Sequence, residues 1–316
     1  MAKSIVSRTA GCKLKYFRVG LIRIGYAYLW IRFFKQVRIQ SRVTRNAMNK
    51  RFPTILFIGA LALVAVFYNY QDIVFKRPQS VHKWRQSDCA SIALNYYQGG
   101  MNLRNSETHN LTSDGGTSGK SLTSEVPILY FSVATLYQLF GYHDYIYRIF
   151  NTLLFFLGLF FLFRMMRFIL NDTFWSVSLT LLVFTAPVLV YYGNNFLPNS
   201  SALAFSMAGW YYFTRYLYDS KMKWFYISVA FFFVAAMLKV TALFSLFAIT
   251  GIFVLDITGI KKIKSEGKLF SKPVQQIGAI VSVFLLIGIW LAYVHSFNQR
   301  HGCSYFSTNI FPIWDL

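Results

Sequence analysis

The stretch YIYRIFNTLLFFLGLFFLFRMMR, residues 145–167, decides the fold class. From Tyr145 to Phe163 it carries a single charge, Arg148, and then meets Arg164 and Arg167. About 20 apolar residues in a helix cross a hydrocarbon layer, so this run reads as a membrane span with a cationic end. Runs of the same kind recur at Pro53–Tyr70, Phe174–Tyr192, Ser200–Phe213, Trp224–Leu255 and Val274–Val294. The whole composition agrees. Of 316 residues, 55% are hydrophobic and only 14% charged, where a soluble domain has about a quarter charged. Mean hydropathy is +0.42. These values exclude a disordered chain, a disulfide miniprotein and an ordinary soluble enzyme, which needs polar groups to cover its surface.

The net charge of +21 raises nucleic acid as a partner, but its distribution argues against that. Residues 1–51 hold 13 basic residues and no acidic one. The remaining excess lies in short tracts between apolar runs: Arg164 and Arg167; Arg215, Lys221 and Lys223; Lys261, Lys262, Lys264, Lys268 and Lys272. Basic tracts beside apolar spans follow the positive-inside pattern and suit anionic membrane lipids as partners. Pro127–Phe140 is apolar but short. If it crossed the membrane, every later basic tract would change sides. Laid along the interface as an amphipathic helix, it leaves 23 of the 32 basic residues cytoplasmic. The expected fold is therefore all-α, a polytopic membrane helix bundle of about seven spans. Juxtamembrane helices would lie in a long first outer loop, residues 71–126.

Residues 1–51 form a separate basic segment, read as a cationic helix on the inner leaflet. An equal reading makes Met48 the native start and residues 1–47 an upstream extension. Residues 52–316 form the membrane domain. Cys12, Cys89 and Cys303 have no metal spacing. Cys89 and Cys303 fall on one side and allow a bond, although two free thiols are the simpler expectation. The Ser113–Ser121 run is loop, without the register of a phosphate-binding loop.

Charge beside lipid costs at least about 2.5–3.5 kcal/mol at mid-membrane, which singles out three groups. The first is His82–Asp88, just past the first span. The second is Glu125, and the third is Lys239, at a break within Trp224–Leu255. Asp88 has two readings: a helix N-cap, with Ser87 as the alternative cap, or a general base in a low-dielectric site. Glu125 has an ion pair with Arg85 or Lys83 as its plain reading. As a lone carboxylate it is a poor ligand set for a divalent cation, the one cofactor its residue type suggests. Trp84, Tyr96 and the other aromatics read first as membrane-interface residues, and His295 and His301 as surface histidines.

Trp84-Arg85-Gln86-Ser87-Asp88-Cys89-Ala90, followed by Asn95-Tyr96-Tyr97, resembles the first outer loop of GT-C glycosyltransferases. Protein O-mannosyltransferases and aminoarabinose transferases, glycosyltransferase family 39-like proteins, are the relatives in question. Ser124-Glu125-Val126-Pro127-Ile128-Leu129-Tyr130, then Leu139-Phe140-Gly141 and Tyr147-Arg148-Ile149, is similar to that family's Glu-Lys-Pro-Pro-Leu-Tyr stretch with its Phe-Gly and Arg-Leu. Leu238-Lys239-Val240-Thr241 resembles its Lys-bearing break. Val126 stands where many relatives have Lys, Asp88 is a single acid rather than an Asp-Glu pair, and Asn199 stands where some have Asp. Relatives also continue beyond the seventh span, so this chain reads as a fragment or a short form.

The resemblance implies a hexosyl- or pentosyltransferase in the cell (inner) membrane with its active site on the outer face. The donor would be a polyprenyl-phosphate sugar, the acceptor a lipid, glycan or protein, and transfer would invert the anomeric carbon. Asp88 and Glu125 would be catalytic, while Arg85, Lys239 and Arg148 would bind the donor phosphate. The competing class is a transporter or flippase for a lipid-linked or anionic solute, because a broken span with a cation at the break also suits that function. The long acid-bearing loop and the lack of an internal repeat favour the transferase.

Overall fold

The computed structural model describes residues 51–111, 118–260 and 268–303. The basic segment before Arg51, Cys12, most of the Ser113–Ser121 loop, the first lysines of the 261–272 tract and the residues after Cys303 lie outside the described residues.

Eleven α-helices are described: α1 Phe52–Phe67, α2 Tyr70–Ile73, α3 Lys83–Gln98, α4 Ile128–Phe140, α5 Asp144–Leu170, α6 Thr173–Phe184, α7 Pro187–Tyr192, α8 Pro198–Asp219, α9 Met222–Leu238, α10 Leu243–Ile257 and α11 Pro273–Arg300. Among the described residues no strand forms, and a single isolated bridge joins Glu107 to Lys120. The fold is thus all-α, as expected.

Local chemistry sets the helix boundaries. Proline opens α1, α7, α8 and α11, where its missing N–H has no intrahelical partner to lose. The Asp172 side chain caps α6 by accepting from Trp175 N at 2.8 Å. Asn171 and Ser220 take left-handed φ of 54° to end α5 and α8. Phe174–Tyr192, expected as one continuous span, is instead divided into α6 and α7 at Thr185–Ala186. Pro187 cannot donate to the helix ladder and drives the residue before it into extended backbone, φ −57°, ψ 126°.

Among the described residues, three helical stretches are long and apolar enough to cross a membrane: Asp144–Leu170, Val240–Ile257 and Pro273–Arg300. Shorter apolar helices are α1, α4, α6 and α9. Their outward faces carry large apolar side chains, with Leu63 74%, Phe174 68%, Phe244 73% and Leu285 62% exposed. Exposed apolar surface of that extent needs lipid or protein against it.

Helix α8 is different. Its sequence is rich in Ser, Gly and Ala, and much of it is buried between α5 and α9. A Cβ on Gly158 of α5 would lie 2.4 Å from Ala204 Cα of α8. At Gly209 the Phe232 ring of α9 stands in the same relation, and Ser228 Oγ donates to Gly209 O at 2.8 Å. Small residues let helix backbones approach where no water exists to drive them together. The moderate polarity of α8 therefore reflects neighbours of protein rather than lipid.

Hydrogen bonds fix which helix ends meet. At one end, Tyr216 OH of α8 donates to Leu269 O, and Gln276 Nε2 of α11 donates to Tyr216 OH. At the other, Asn151 of α5 donates to Asn195 O and Leu197 O just before α8, and Tyr191 of α7 donates to Val81 O before α3. The helices α1, α5, α6–α7, α8, α9, α10 and α11 run back and forth between these two ends. The long connection between α1 and α4 gathers over one end of the bundle.

Candidate active site

Lys239 lies where α9 stops. Its backbone is extended, φ −155° and ψ 117°, between α9 and the short 3-10 turn Val240–Ala242. The break leaves Met237 O outside the helix ladder, and Val126 N donates to it at 2.7 Å. Two further ties hold the same loop strand. Asn298 of α11 pairs with Leu122 in both directions, at 2.9 and 2.8 Å, and Trp290 Nε1 donates to Ser124 O at 3.1 Å. Residues 122–126 are thus pinned between the ends of α9 and α11.

This positions Glu125, which is 2% exposed. Lys239 Nζ donates to its Oε1 at 2.7 Å, and Arg85 Nη2 donates to its Oε2 at 2.7 Å. Tyr130 OH, at 3.1 Å, and Thr123 Oγ1, at 3.3 Å, also donate to Oε2. A carboxylate taken this far from water is stabilised only by such charge-assisted donors.

Asp88 lies one turn beyond Arg85 on α3 and is 6% exposed, and its buried Oδ2 has no hydrogen-bond partner. Burial raises its pKa above the ordinary carboxylate range, with Arg85 opposing the rise. The capping reading of Asp88 and Ser87 does not hold. Helix α3 begins at Lys83 with His82 as N-cap, so both residues lie inside the helix. Helix α3 runs to Gln98 with Gly99 as its C-cap, and Gly100 follows with φ +80°.

Four of the expected residues, Arg85, Asp88, Glu125 and Lys239, therefore meet at one end of the bundle. Their formal charges cancel. Glu125 pairs with Arg85, as its plain reading held, and also with Lys239, which links residues 114 positions apart. Nothing in the spacing of the sequence could show that second partner. Arg148 is placed elsewhere. Buried at 2% exposure on α5, it donates to Asn194 O at 2.5 Å and Lys76 O at 2.8 Å, and lies over the Phe196 ring at 4.6 Å.

Sequence reasoning passed over Cys89 and Tyr130 as members of this site. They are fully buried beside Glu125, with Cys89 Sγ 3.4 Å from Tyr130 OH. Burial pushes the Cys89 thiol up to about 11, so it stays protonated. Cys89 and Cys303 are free thiols. Tyr96 is buried and donates to Leu103 O, a structural use, while Trp84 is exposed. Among the described residues no group of three or more His, Cys, Asp or Glu side chains gathers to hold a metal. Both oxygens of Glu125 are occupied by cations, so the residues present do not form a metal site there.

An all-α bundle of apolar helices is the fold that the resemblance to GT-C membrane glycosyltransferases implies. The model of the dolichyl-phosphate-mannose-protein mannosyltransferase family matches residues 124–291, more than half of the chain, and the chain belongs to that family. No curated protein matches it by sequence. The fold is similar to that of ArnT from Cupriavidus metallidurans, solved bound to undecaprenyl phosphate, with a TM-score of 0.54 at 14% identity. That match covers 80% of this chain and 43% of the ArnT chain, so the chain spans less than half of that protein's length.

Proposed function

We propose that the chain is a membrane glycosyltransferase that moves a sugar from a polyprenyl-phosphate donor to an acceptor on the outer face of the cell membrane, with inversion. The observation that carries this reading is the pairing of Glu125 with both Arg85 and Lys239, one helical turn from an unpartnered buried carboxylate, Asp88. In such a site Asp88 takes the proton of the acceptor hydroxyl as that oxygen attacks the anomeric carbon. The bond to the donor phosphate breaks, and the leaving polyprenyl phosphate gains charge. Arg85 and Lys239 stabilise that charge, and Glu125 holds the two cations in position until the phosphate arrives. Lys239, about a third exposed, is the cation best able to turn from Glu125 to the phosphate.

The seven alternating passes support a seven-span topology in which basic tracts face the cytoplasm and this site faces outward. Helix α4 supports its interfacial reading: it buries Leu129, Tyr130, Val133, Ala134 and Tyr137 on one face, and leaves Leu139 and Phe140 exposed. Membranes holding the chain, given labelled polyprenyl-phosphate sugars, test the function. Transfer that depends on Asp88 supports the reading, whereas movement of the intact lipid-linked sugar across the bilayer without transfer would favour a flippase.

A further inference from the structure

At the end of the bundle away from Glu125, three cations from three helices converge on two aromatic rings. Arg164 of α5 donates from Nη2 to Tyr211 OH of α8 at 3.4 Å. Arg215, one turn further along α8, interacts with the same hydroxyl. Its guanidinium also lies over the Trp224 ring of α9 at 4.2 Å, and Lys223 Nζ stands 4.6 Å from the centre of that ring. Such contacts hold cations in place without neutralising them. Arg164 and Lys223 are exposed and Arg215 is half-buried, so all three are within reach of a ligand.

Counter-charge is short here. Among the described residues, one carboxylate pairs with these cations: Asp219, which accepts from Arg215 at 3.3 Å and from Trp224 Nε1 at 3.1 Å. Two further acids at this end are used elsewhere. Asp172 caps α6 by accepting from Trp175 N, and Asp256 accepts from Phe270 N at 3.0 Å. Three cations and one carboxylate leave a formal charge of +2. An anion seated among them relieves their mutual repulsion.

Below the cations runs an apolar track. Tyr212 of α8 stacks on Trp224, with ring centres 5.6 Å apart, and on Phe231 of α9 at 5.4 Å. Phe161 of α5 meets Tyr212 at 5.9 Å and Phe231 at 5.8 Å. All four rings are half-buried. Phe231 lies seven residues along α9 from Trp224, in the direction of Lys239, which carries the track about 10 Å into the bundle. A soluble anion would need the cations alone. A charged crown over an apolar track suits a molecule with an anionic head and an apolar tail.

We propose that this groove, walled by α5 and α9 and floored by α8, binds the phosphate headgroup of one anionic phospholipid, whose acyl chain lies along Phe161, Tyr212 and Phe231. The claim is a single lipid at a defined place, rather than the general attraction of basic tracts for an anionic leaflet. It goes beyond the transferase reading and does not rest on it, because none of its residues belongs to the cluster around Glu125.

The test uses the delipidated full chain in a neutral detergent, with native mass spectrometry to count bound lipids at constant ionic strength. Phosphatidylglycerol and phosphatidylcholine of the same chain length are titrated in turn, and one phosphatidylglycerol is expected to be retained at concentrations where phosphatidylcholine is not. Arg164→Gln with Lys223→Gln removes two exposed cations of the groove and should weaken that binding by about fivefold for each. Lys268→Gln with Lys272→Gln removes the same charge outside the groove and should leave it unchanged. Glycerol phosphate, which has the head without the chains, should not displace the lipid. Equal retention of the two lipids, equal losses in the two double variants, or full displacement by glycerol phosphate each overturns the proposal.

Discussion

Asp88 and Glu125 are both buried acids, and their surroundings divide their roles. Glu125 is saturated with donors, while the buried Oδ2 of Asp88 has none. A buried acid with a raised pKa binds its proton more tightly when folded than when unfolded. Its contribution to stability is therefore greatest at low pH. It falls as pH rises from about 3.9, the ordinary Asp value, through the raised folded value. Asp88→Asn removes this penalty. At neutral pH its melting temperature should equal or exceed that of the wild type, while the transfer rate falls by about 10²–10⁴-fold. A matched fall in melting temperature would instead show a structural role. Glu125→Leu should behave in the opposite way, because it leaves two cations without their shared partner. We expect a loss of about 1.5–3 kcal/mol, read from thermal melts in detergent. Asp88 and Glu125 were legible as candidates because acids are scarce in this chain and sit beside apolar runs. The distinction between them was not, since it depends on Lys239 reaching Glu125 across 114 positions.

The break at Lys239 and the strand 122–126 work as one device. An extended residue ends α9, frees Met237 O for Val126 N, and so aligns Glu125 with the lysine. Asn298 on α11 clips the other end of that strand. Asn298→Ala should therefore lower transfer although it lies outside the charged cluster, and should cost about 1–3 kcal/mol for the buried main-chain groups of Leu122 left unpaired. Unchanged kinetics would show that the strand holds its place without the clip. Between α5 and α8 the close approach at Gly158 leaves no room for a side chain, because the backbone and Cβ of Ala204 stand there. Gly158→Val should destabilise the bundle by about 1–3 kcal/mol or more, measured by thermal melts. Apolar run lengths showed most of these helices in advance. They did not show the division of α6 from α7, because a run long enough to span masks the effect of Pro187. They also understated α8, whose small and polar residues face other helices.

Taken together, the passes bring one set of helix ends to the acid-bearing connection and the other to the basic tracts at Arg164, Arg215 and Lys268. In the proposed topology the positive-inside pattern places the basic ends in the cytoplasm. In a cysteine-free background, Asn102→Cys should react with an impermeant thiol reagent added outside intact cells, and Lys221→Cys should not. The reverse labelling would invert the topology. Charge distribution in the sequence is the source of this proposed orientation, which the labelling tests. The cationic groove was not readable, because Arg164, Arg215 and Lys223 come from three helices that the sequence does not place side by side. The most direct measurement is transfer of labelled sugar from a polyprenyl-phosphate donor in membranes that carry the wild type or Asp88→Asn at equal inserted amounts. Transfer by the wild type, reduced at least about a hundredfold in the variant, is the expected result. Equal transfer by both would contradict the assignment of Asp88 as the base on which the proposed reaction depends.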